Sequence, residues 1–395
     1  MRRRREPVIL VLHNRYRTTG GEERAVDDLT WLVREHLSEE VEVIQRDSAT
    51  LSRARAAVAM LRGGLEPGDV GAAVRRTGAR VVHAHNLNPA FGWRALAAAR
   101  EAGARTILHL HNYRLVCAVG TCFTRGEDCT RCHGHNTAPG VALSCRGPRA
   151  EAAVYGAGLA LHQRRLTAQV DRFVVPSAFA LDRLRQLGAP LGGRATIVPH
   201  VVRTFVGESR AAEGTYALLA TRLAPEKGVE TALDACAAAG VPLVVCGDGP
   251  LGGELRARAT TRDIRFTGPL SGDLHGRAAT REVRFTGRVT PAELSELRGG
   301  AALAIVPSRG TETFGLAAAE AMAAGVPVVA SRIGALPEIV PPEGLVPPGD
   351  SAGLAAAIAR RYGDASEGRR GLERIRERCA PSAVARRLRA VYDEG

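Results

Sequence analysis

A chain of 395 residues is long for one ordinary core, and 45% apolar against 24% charged residues excludes a disordered or fibrous protein, so two globular domains are expected. No run approaches the roughly 18 apolar residues of a membrane-spanning helix. Aromatics at 4% and the lack of any nucleic-acid motif argue against a nucleic-acid partner. The net charge of +13 is concentrated in residues 1–200, where 29 arginines face 18 acidic residues; residues 201–395 carry 25 basic against 23 acidic.

In chain order, the start "MRRRREPVILVLHN" couples a basic segment to an apolar run, Val8 to Leu12, that is too short for a signal peptide and reads as a first buried strand. A cytoplasmic protein is the expectation, and the basic first half adds that of a peripheral contact with anionic membrane at its inner face. Further strands are predicted at 41–45, 80–85, 106–111, 172–177 and 196–200. After a polar stretch at 203–214 the pattern restarts at 216–222, 242–247, 283–287, 303–308, 327–331 and 344–348. Ala- and Leu-rich segments such as "ALDACAAAG" and "LAAAEAMAAG" lie between them and suit crossover helices. Strands apolar on both faces and separated by helices predict two doubly wound parallel sheets, an α/β fold with the ligand at the strands' carboxyl ends. The domains are placed at 1–202 and 203–380, with a helix at about 381–395 packing back on the first. "RATTRDIRFTG" (258–268) and "RAATREVRFTG" (277–287) match at eight of eleven positions, a local duplication that adds a loop or an extra strand.

Lys227, in "TRLAPEKGVETALDA", is the only lysine; all other members of the 54 Lys+Arg residues are arginine. It sits with Arg222 in a strand-to-helix loop. A compact ammonium can follow a phosphate through a reaction where a planar guanidinium cannot, so the two predict a clamp for a diphosphate. In "RGTETFGLAAAEAMAAGVPVVAS" (309–331), Phe314, Gly315 and Leu316 open a helix whose N-terminal amides form an anion site. Glu312 precedes that helix and Glu320 lies inside it. Carboxylates accept hydrogen bonds from paired hydroxyls, so one suits a sugar ring and the other a ribose. No Asp-x-Asp occurs anywhere. Five of eight cysteines, Cys117, Cys122, Cys129, Cys132 and Cys145, fall within 29 residues, and Cys129-x2-Cys132 has the spacing of a zinc half-site; free thiols are the alternative. Cys236, Cys246 and Cys379 read as core residues.

These motifs, with "VVCGDGPL", "VRFTGRVTPAEL" and "GALPEIV" in the second half and "NRYRTTGGEE", "VVHAHNLNP", "LHLHNYRLVC" and "VDRFVVPSAF" in the first, resemble the family 4 retaining glycosyltransferases. The resemblance implies the GT-B fold, two facing Rossmann-like domains with the active site in the interdomain cleft. It implies transfer of a sugar from a UDP- or GDP-sugar to a hydroxyl acceptor (lipid, polysaccharide or small natural product), with retention and without a catalytic metal. Arg222 and Lys227 would neutralise the donor diphosphate, Glu312 would contact the transferred sugar, and Glu320 the ribose. The turn at Gly20 and Gly21 would approach the donor, and His111 would face its sugar. His109, His83 and His85 read as packing or floor residues. "VPHVV" (198–202) replaces the family's usual turn, leaving His200 unexplained. Similar sequences point to Cys117, Cys129, Cys132 and Cys145 as a structural zinc set, with Cys122 spare. The rivals are a GT-B nucleotide-sugar epimerase and a non-catalytic module binding anionic glycan or membrane.

Overall fold

The computed structural model describes residues 8–16, 20–260 and 282–394. It divides into two compact units, one of Met1–Thr124, Cys129–Val201 and Pro381–Gly395, the other of Arg125–Asp128 and Val202–Ala380. In the first (N-terminal) unit, strands β1 (Val8–Arg15), β2 (Glu40–Asp47), β3 (Val81–Ala84), β4 (Arg105–His109), β5 (Arg172–Val175) and β6 (Ala195–Ile197) form an all-parallel sheet in the order β2-β1-β3-β4-β5-β6. In the second (C-terminal) unit, β7 (Tyr216–Ala220), β8 (Leu243–Cys246), β9 (Val283–Gly287), β10 (Ala301–Val306), β11 (Val328–Ser331) and β12 (Leu345–Val346) follow the order β9-β8-β7-β10-β11-β12, again all parallel. Each is a Rossmann-like sheet, as the alternation of short apolar runs and helical segments predicts.

Strand residues divide between two cores because successive side chains point to opposite faces. Leu10 and Leu12 of β1 join Phe91 and Leu96 on one face, while Ile9 and Val11 join Leu29 and Leu388 on the other. In the C-terminal unit Leu218 packs with Phe314 and Met322, and Ala217 and Leu219 pack with Leu233 and Ile358. The last helix, Pro381–Asp393, belongs to the N-terminal unit. Its Val384, Leu388, Val391 and Tyr392 are buried over β1, and Arg80 and Arg105 donate to the carbonyls of Tyr392 and Val391 at 3.0 and 2.9 Å.

Both sheets have a reversal of strand order, between β1 and β3 in one and between β7 and β10 in the other. Loops at the carboxyl ends of such strand pairs diverge and leave a crevice, which is where open α/β sheets bind ligands. Of the duplicated segments, residues 261–281 lie outside the described residues; the end of the second copy is β9.

Candidate functional site

In the C-terminal unit the crevice is flanked by the loop after β7 and the loop after β10. The first closes in a single 3-10 turn, Pro225–Lys227, and hands over to a helix, Val229–Ala239, through Gly228. Gly228 has φ +61°, and a Cβ there would lie 2.2 Å from the carbonyl oxygen of Pro307, so only glycine lets the two loops touch. The backbone amides of Arg309 and Gly310 both donate to the Glu226 carbonyl at 2.9 Å. These constraints fix Lys227 against the second loop. Its Nζ donates to Glu312 Oε1 at 2.6 Å, and the Ser308 hydroxyl donates to the same oxygen at 2.7 Å. Burial pushes the Glu312 carboxyl up, but the Lys227 ammonium, with its hydrogen bond and that of Ser308, outweighs it and holds the group below the ordinary range.

Gly334, φ +62°, backs Glu312 so closely that a Cβ would stand 2.4 Å from the Glu312 amide nitrogen, and Ala335 N donates to Glu312 O at 2.9 Å. Beyond it, Gly315 at φ +94° caps the helix Leu316–Ala323, behind a buried Phe314. The amides of Gly315 and Leu316 therefore stand at a helix N-terminus, where the macrodipole favours an anion.

Of the predicted residues, Arg222, Lys227, Glu312 and Gly315 lie on the two loops that flank this crevice, whereas Gly20, Gly21 and His111 belong to the N-terminal unit. Arg222 and Lys227 are not a free cationic pair: Arg222, exposed, bridges to Glu226, and Lys227 is held by Glu312. Glu320 is mostly buried and paired with Arg298, which donates from the helix Pro291–Gly299. Sequence reasoning missed Ser308, Arg298 and Thr311, whose buried hydroxyl has no partner among the described residues. Ser308 and Thr311 lie in or beside the stretch that carries Glu312 but are unremarkable residue types there, and Arg298 is defined by Glu320, 22 residues on.

The N-terminal unit has its own crevice. Gly20 precedes the helix Gly21–Leu32, whose Glu23 accepts from the Gly20 amide at 2.7 Å. A cavity is lined by Glu22, His85, His109, His111, Asn112 and Arg114, among others. Glu22 Oε2 accepts from the Tyr16 hydroxyl at 2.8 Å and from Asn112 Nδ2 at 3.1 Å. Burial pushes its carboxyl up to about 7, against the pull of Arg114 and the Tyr16 hydrogen bond. A carboxyl raised to about 7 that lines a cavity can bind a hydroxyl and exchange a proton with it. Nothing in "GGEER" singles Glu22 out from its neighbours; burial against Tyr16 and Asn112 does.

His111 is not isolated. His13, His83, His85, His109, His111 and His200 form one continuous run of rings, with successive centroids 4.0 to 6.3 Å apart. Burial holds all six below the ordinary histidine pKa, His83 at about 3 and His200 at about 4. His200 is the end member of that run.

The five clustered cysteines line one cavity. Cys122, expected to be spare, is buried and contacts Cys117, and its carbonyl accepts from the Cys129 amide at 2.8 Å. The Cys122 hydrogen bond, against burial, draws the Cys117 thiol down to about 6. Cys145 lies 3.5 Å from the Thr124 hydroxyl. Cys236, Cys246 and Cys379 are buried in the C-terminal core.

Residues 214–364 match the family model described as glycosyl transferases group 1. The chain is 43% identical over 110 residues to the MMP alpha-(1->4)-mannosyltransferase of Mycolicibacterium hassiacum, covering 26% of each chain. It is 35% identical over 192 residues to the GDP-mannose-dependent alpha-(1-6)-phosphatidylinositol dimannoside mannosyltransferase of Mycobacterium tuberculosis, covering 45% of each. The chain therefore spans less than half the length of these curated relatives. Among solved structures it is similar to Thermosynechococcus elongatus sucrose-phosphate synthase (TM-score 0.68, 20% identity, 98% of both chains). It is also similar to Anabaena HepE in complex with UDP and glucose (TM-score 0.60, 17% identity, 97% of this chain and 98% of that one). At these identities the likeness is one of fold: two Rossmann-like domains of the GT-B type.

Proposed function

We propose that the protein is a nucleotide-sugar-dependent glycosyltransferase that retains anomeric configuration and needs no catalytic metal. The observation that carries this reading is the Lys227–Glu312–Ser308 contact at the strand-order reversal of the C-terminal unit. An ammonium has three donors. One goes to Glu312, leaving two for phosphate oxygens, and Arg222 and the amides at Gly315 and Leu316 add further positive potential. The GDP-mannose-dependent relative makes GDP-mannose the first donor to test. Glu312 in the proposal accepts from hydroxyls of the transferred sugar, and Glu320, set by Arg298, from the ribose. In the N-terminal unit, the Gly20–Gly21 turn, His111 and the Glu22 cavity are the proposed contributors, the cavity as the acceptor pocket.

In the reaction, the bond from the anomeric carbon to the leaving phosphate oxygen breaks and its electron pair stays on that oxygen. The acceptor oxygen bonds to the same face of the carbon, and its proton passes to the departing phosphate. Preorganised cations and helix-terminal amides stabilise the charge that builds on the diphosphate. Peripheral contact with anionic membrane through the arginine-rich first half, and a zinc ion held by Cys117, Cys129, Cys132 and Cys145, are part of the same proposal.

The test is a thermal-shift panel of GDP, UDP, ADP and TDP, with and without magnesium, on the wild type and on Lys227→Ala. A nucleotide at 100 times its dissociation constant adds about 2.7 kcal/mol of stability. We expect one nucleotide to stabilise the wild type without magnesium and Lys227→Ala to lose most of that gain. An unchanged response in the variant rejects the donor site.

A further inference from the structure

The two H-x-H segments, His83–His85 and His109–His111, stand on neighbouring parallel strands. Register pairs His83 with Ile107 and Ala84 with Leu108, so the next step along the chains sets His85 beside His109. Residues two apart on a strand share a face, and four imidazoles therefore crowd one side of the sheet at the carboxyl ends of β3 and β4.

Three of these rings carry an unmet demand. His83 Nε2, His85 Nε2 and both nitrogens of His109 are buried without a hydrogen-bond partner among the described residues, and the three residues are at most 4% exposed. Buried polar atoms are rarely left so, because each forfeits its hydration with nothing in exchange. One nitrogen from each of His83, His85 and His109 lies within 4.8 Å of the other two. The remaining nitrogens of His83 and His85 are engaged. His83 Nδ1 meets the Tyr392 hydroxyl at 2.8 Å, and His85 Nδ1 meets His111 Nε2 at 2.7 Å. One nitrogen oriented by a partner and the other left open is the arrangement of a metal-ligating histidine with its supporting hydrogen bond.

We propose that His83, His85 and His109 bind one divalent transition-metal ion, zinc by preference. Neutral imidazoles suit that ion, and three of them leave a fourth position for water. With Zn–N bonds of about 2.0–2.1 Å the ligand nitrogens of a tetrahedral ion stand about 3.3 Å apart, so the three stacked rings must turn to aim their nitrogens at one point when the ion binds. The ion ties β3 to β4 and, through Tyr392, both to the C-terminal helix. It also sets tautomers. With Nε2 on the metal, the His85 proton resides on Nδ1 and is donated to His111 Nε2, so His111 carries its own proton on Nδ1. The site lies in the N-terminal unit and does not rest on the donor-binding proposal.

The experiment uses the full chain carrying Cys129→Ser and Cys132→Ser, so that the thiolate cluster is disabled. The metal-free protein is titrated with zinc and, separately, with cobalt. We expect one equivalent of tight zinc, a cobalt spectrum without thiolate-to-cobalt charge-transfer bands, and a nitrogen-imidazole shell in zinc-edge X-ray absorption. Adding His109→Phe abolishes that equivalent. Tyr392→Phe, which keeps the ring in its core, weakens it by roughly 10–100-fold. Absence of stoichiometric zinc in the cysteine variant overturns the inference, as does a sulfur shell. So does undiminished binding in His109→Phe. If His109→Phe fails to fold, as its melt in chelator would reveal, stoichiometry and absorption edge of the cysteine variant still decide.

Discussion

Lys227 and Glu312 show how one residue pair combines sequence bias with geometry. In a chain whose cationic side chains are otherwise arginine, the single ammonium lies 2.6 Å from a carboxylate that Gly334 and Ser308 hold in place. A guanidinium is a rigid planar fork, whereas the ammonium is a compact point charge on a flexible stem, able in the proposed site to shift between the carboxylate and a phosphate. Arg298 and Glu320 illustrate the opposite case, a pair whose weight is structural. Both side chains are about one-tenth exposed. Breaking a buried pair by removing one partner leaves an uncompensated charge and costs about 3–5 kcal/mol. Arg298→Ala should lower the chemical-denaturation stability of the C-terminal unit by that amount. Arg298→Met with Glu320→Leu should recover most of it, because a well-packed apolar pair removes the stranded charge.

Among the elements, the C-terminal helix carries more than its position at the end of the chain suggests. Its helical spacing, Val384, Leu388, Val391, is legible in "SAVARRLRAVYDEG", but the surface it covers is not. That surface is the Ile9 and Val11 face of β1, from the opposite end of the chain. Burying four side chains of this size contributes roughly 6–12 kcal/mol, comparable to the whole stability of a domain. Deleting residues 381–395 should therefore abolish cooperative unfolding of the N-terminal unit, monitored by calorimetry, while the C-terminal unit keeps its own transition. The carboxyl-end loops show the same division. Glycine at 228 is visible in "PEKG", yet the reason for it, the Pro307 carbonyl, comes from a strand some eighty residues later.

For the whole molecule, the six histidines of the ring run, four of them buried outright, make the metal-free protein sensitive to acid. Their folded pKa values lie below the unfolded value near 6.5, so between those limits the folded chain binds fewer protons and loses stability as the pH falls. Glu22 acts in the other direction. Its carboxyl is raised to about 7, so protonation adds stability as the pH drops from 7 towards its ordinary value. Each group contributes up to about 1.4 kcal/mol per pH unit within its window, and the histidines outnumber the carboxyl. The melting temperature of the N-terminal unit in chelator should fall steeply between pH 6.5 and 5, and replacing His83 with Asn should make the fall shallower. A flat profile would show that the rings are protonated or solvated in the folded state.

The sequence by itself determined the architecture and marked the loops proposed to hold the donor. Each of the twelve apolar runs became a parallel strand: the central strands, buried on both faces, must be apolar throughout, and the helical crossovers between runs set the edge strands parallel to them. Arg222, Lys227, Glu312 and Gly315 were legible for a related reason: their loops lie immediately after those strands, so local order along the chain places them at the ligand-binding edge. Tertiary structure alone decided which charges neutralise which, bringing Glu312 to Lys227 and Arg298 to Glu320. It also joined His83, His85, His109, His111 and His200 into one buried run and turned Glu22 into a carboxyl titrating near neutrality. Hydrogen bonding and desolvation depend on distances between residues far apart in the chain. Hydrophobic period is a local quantity, and those distances appear only once the sheets have closed.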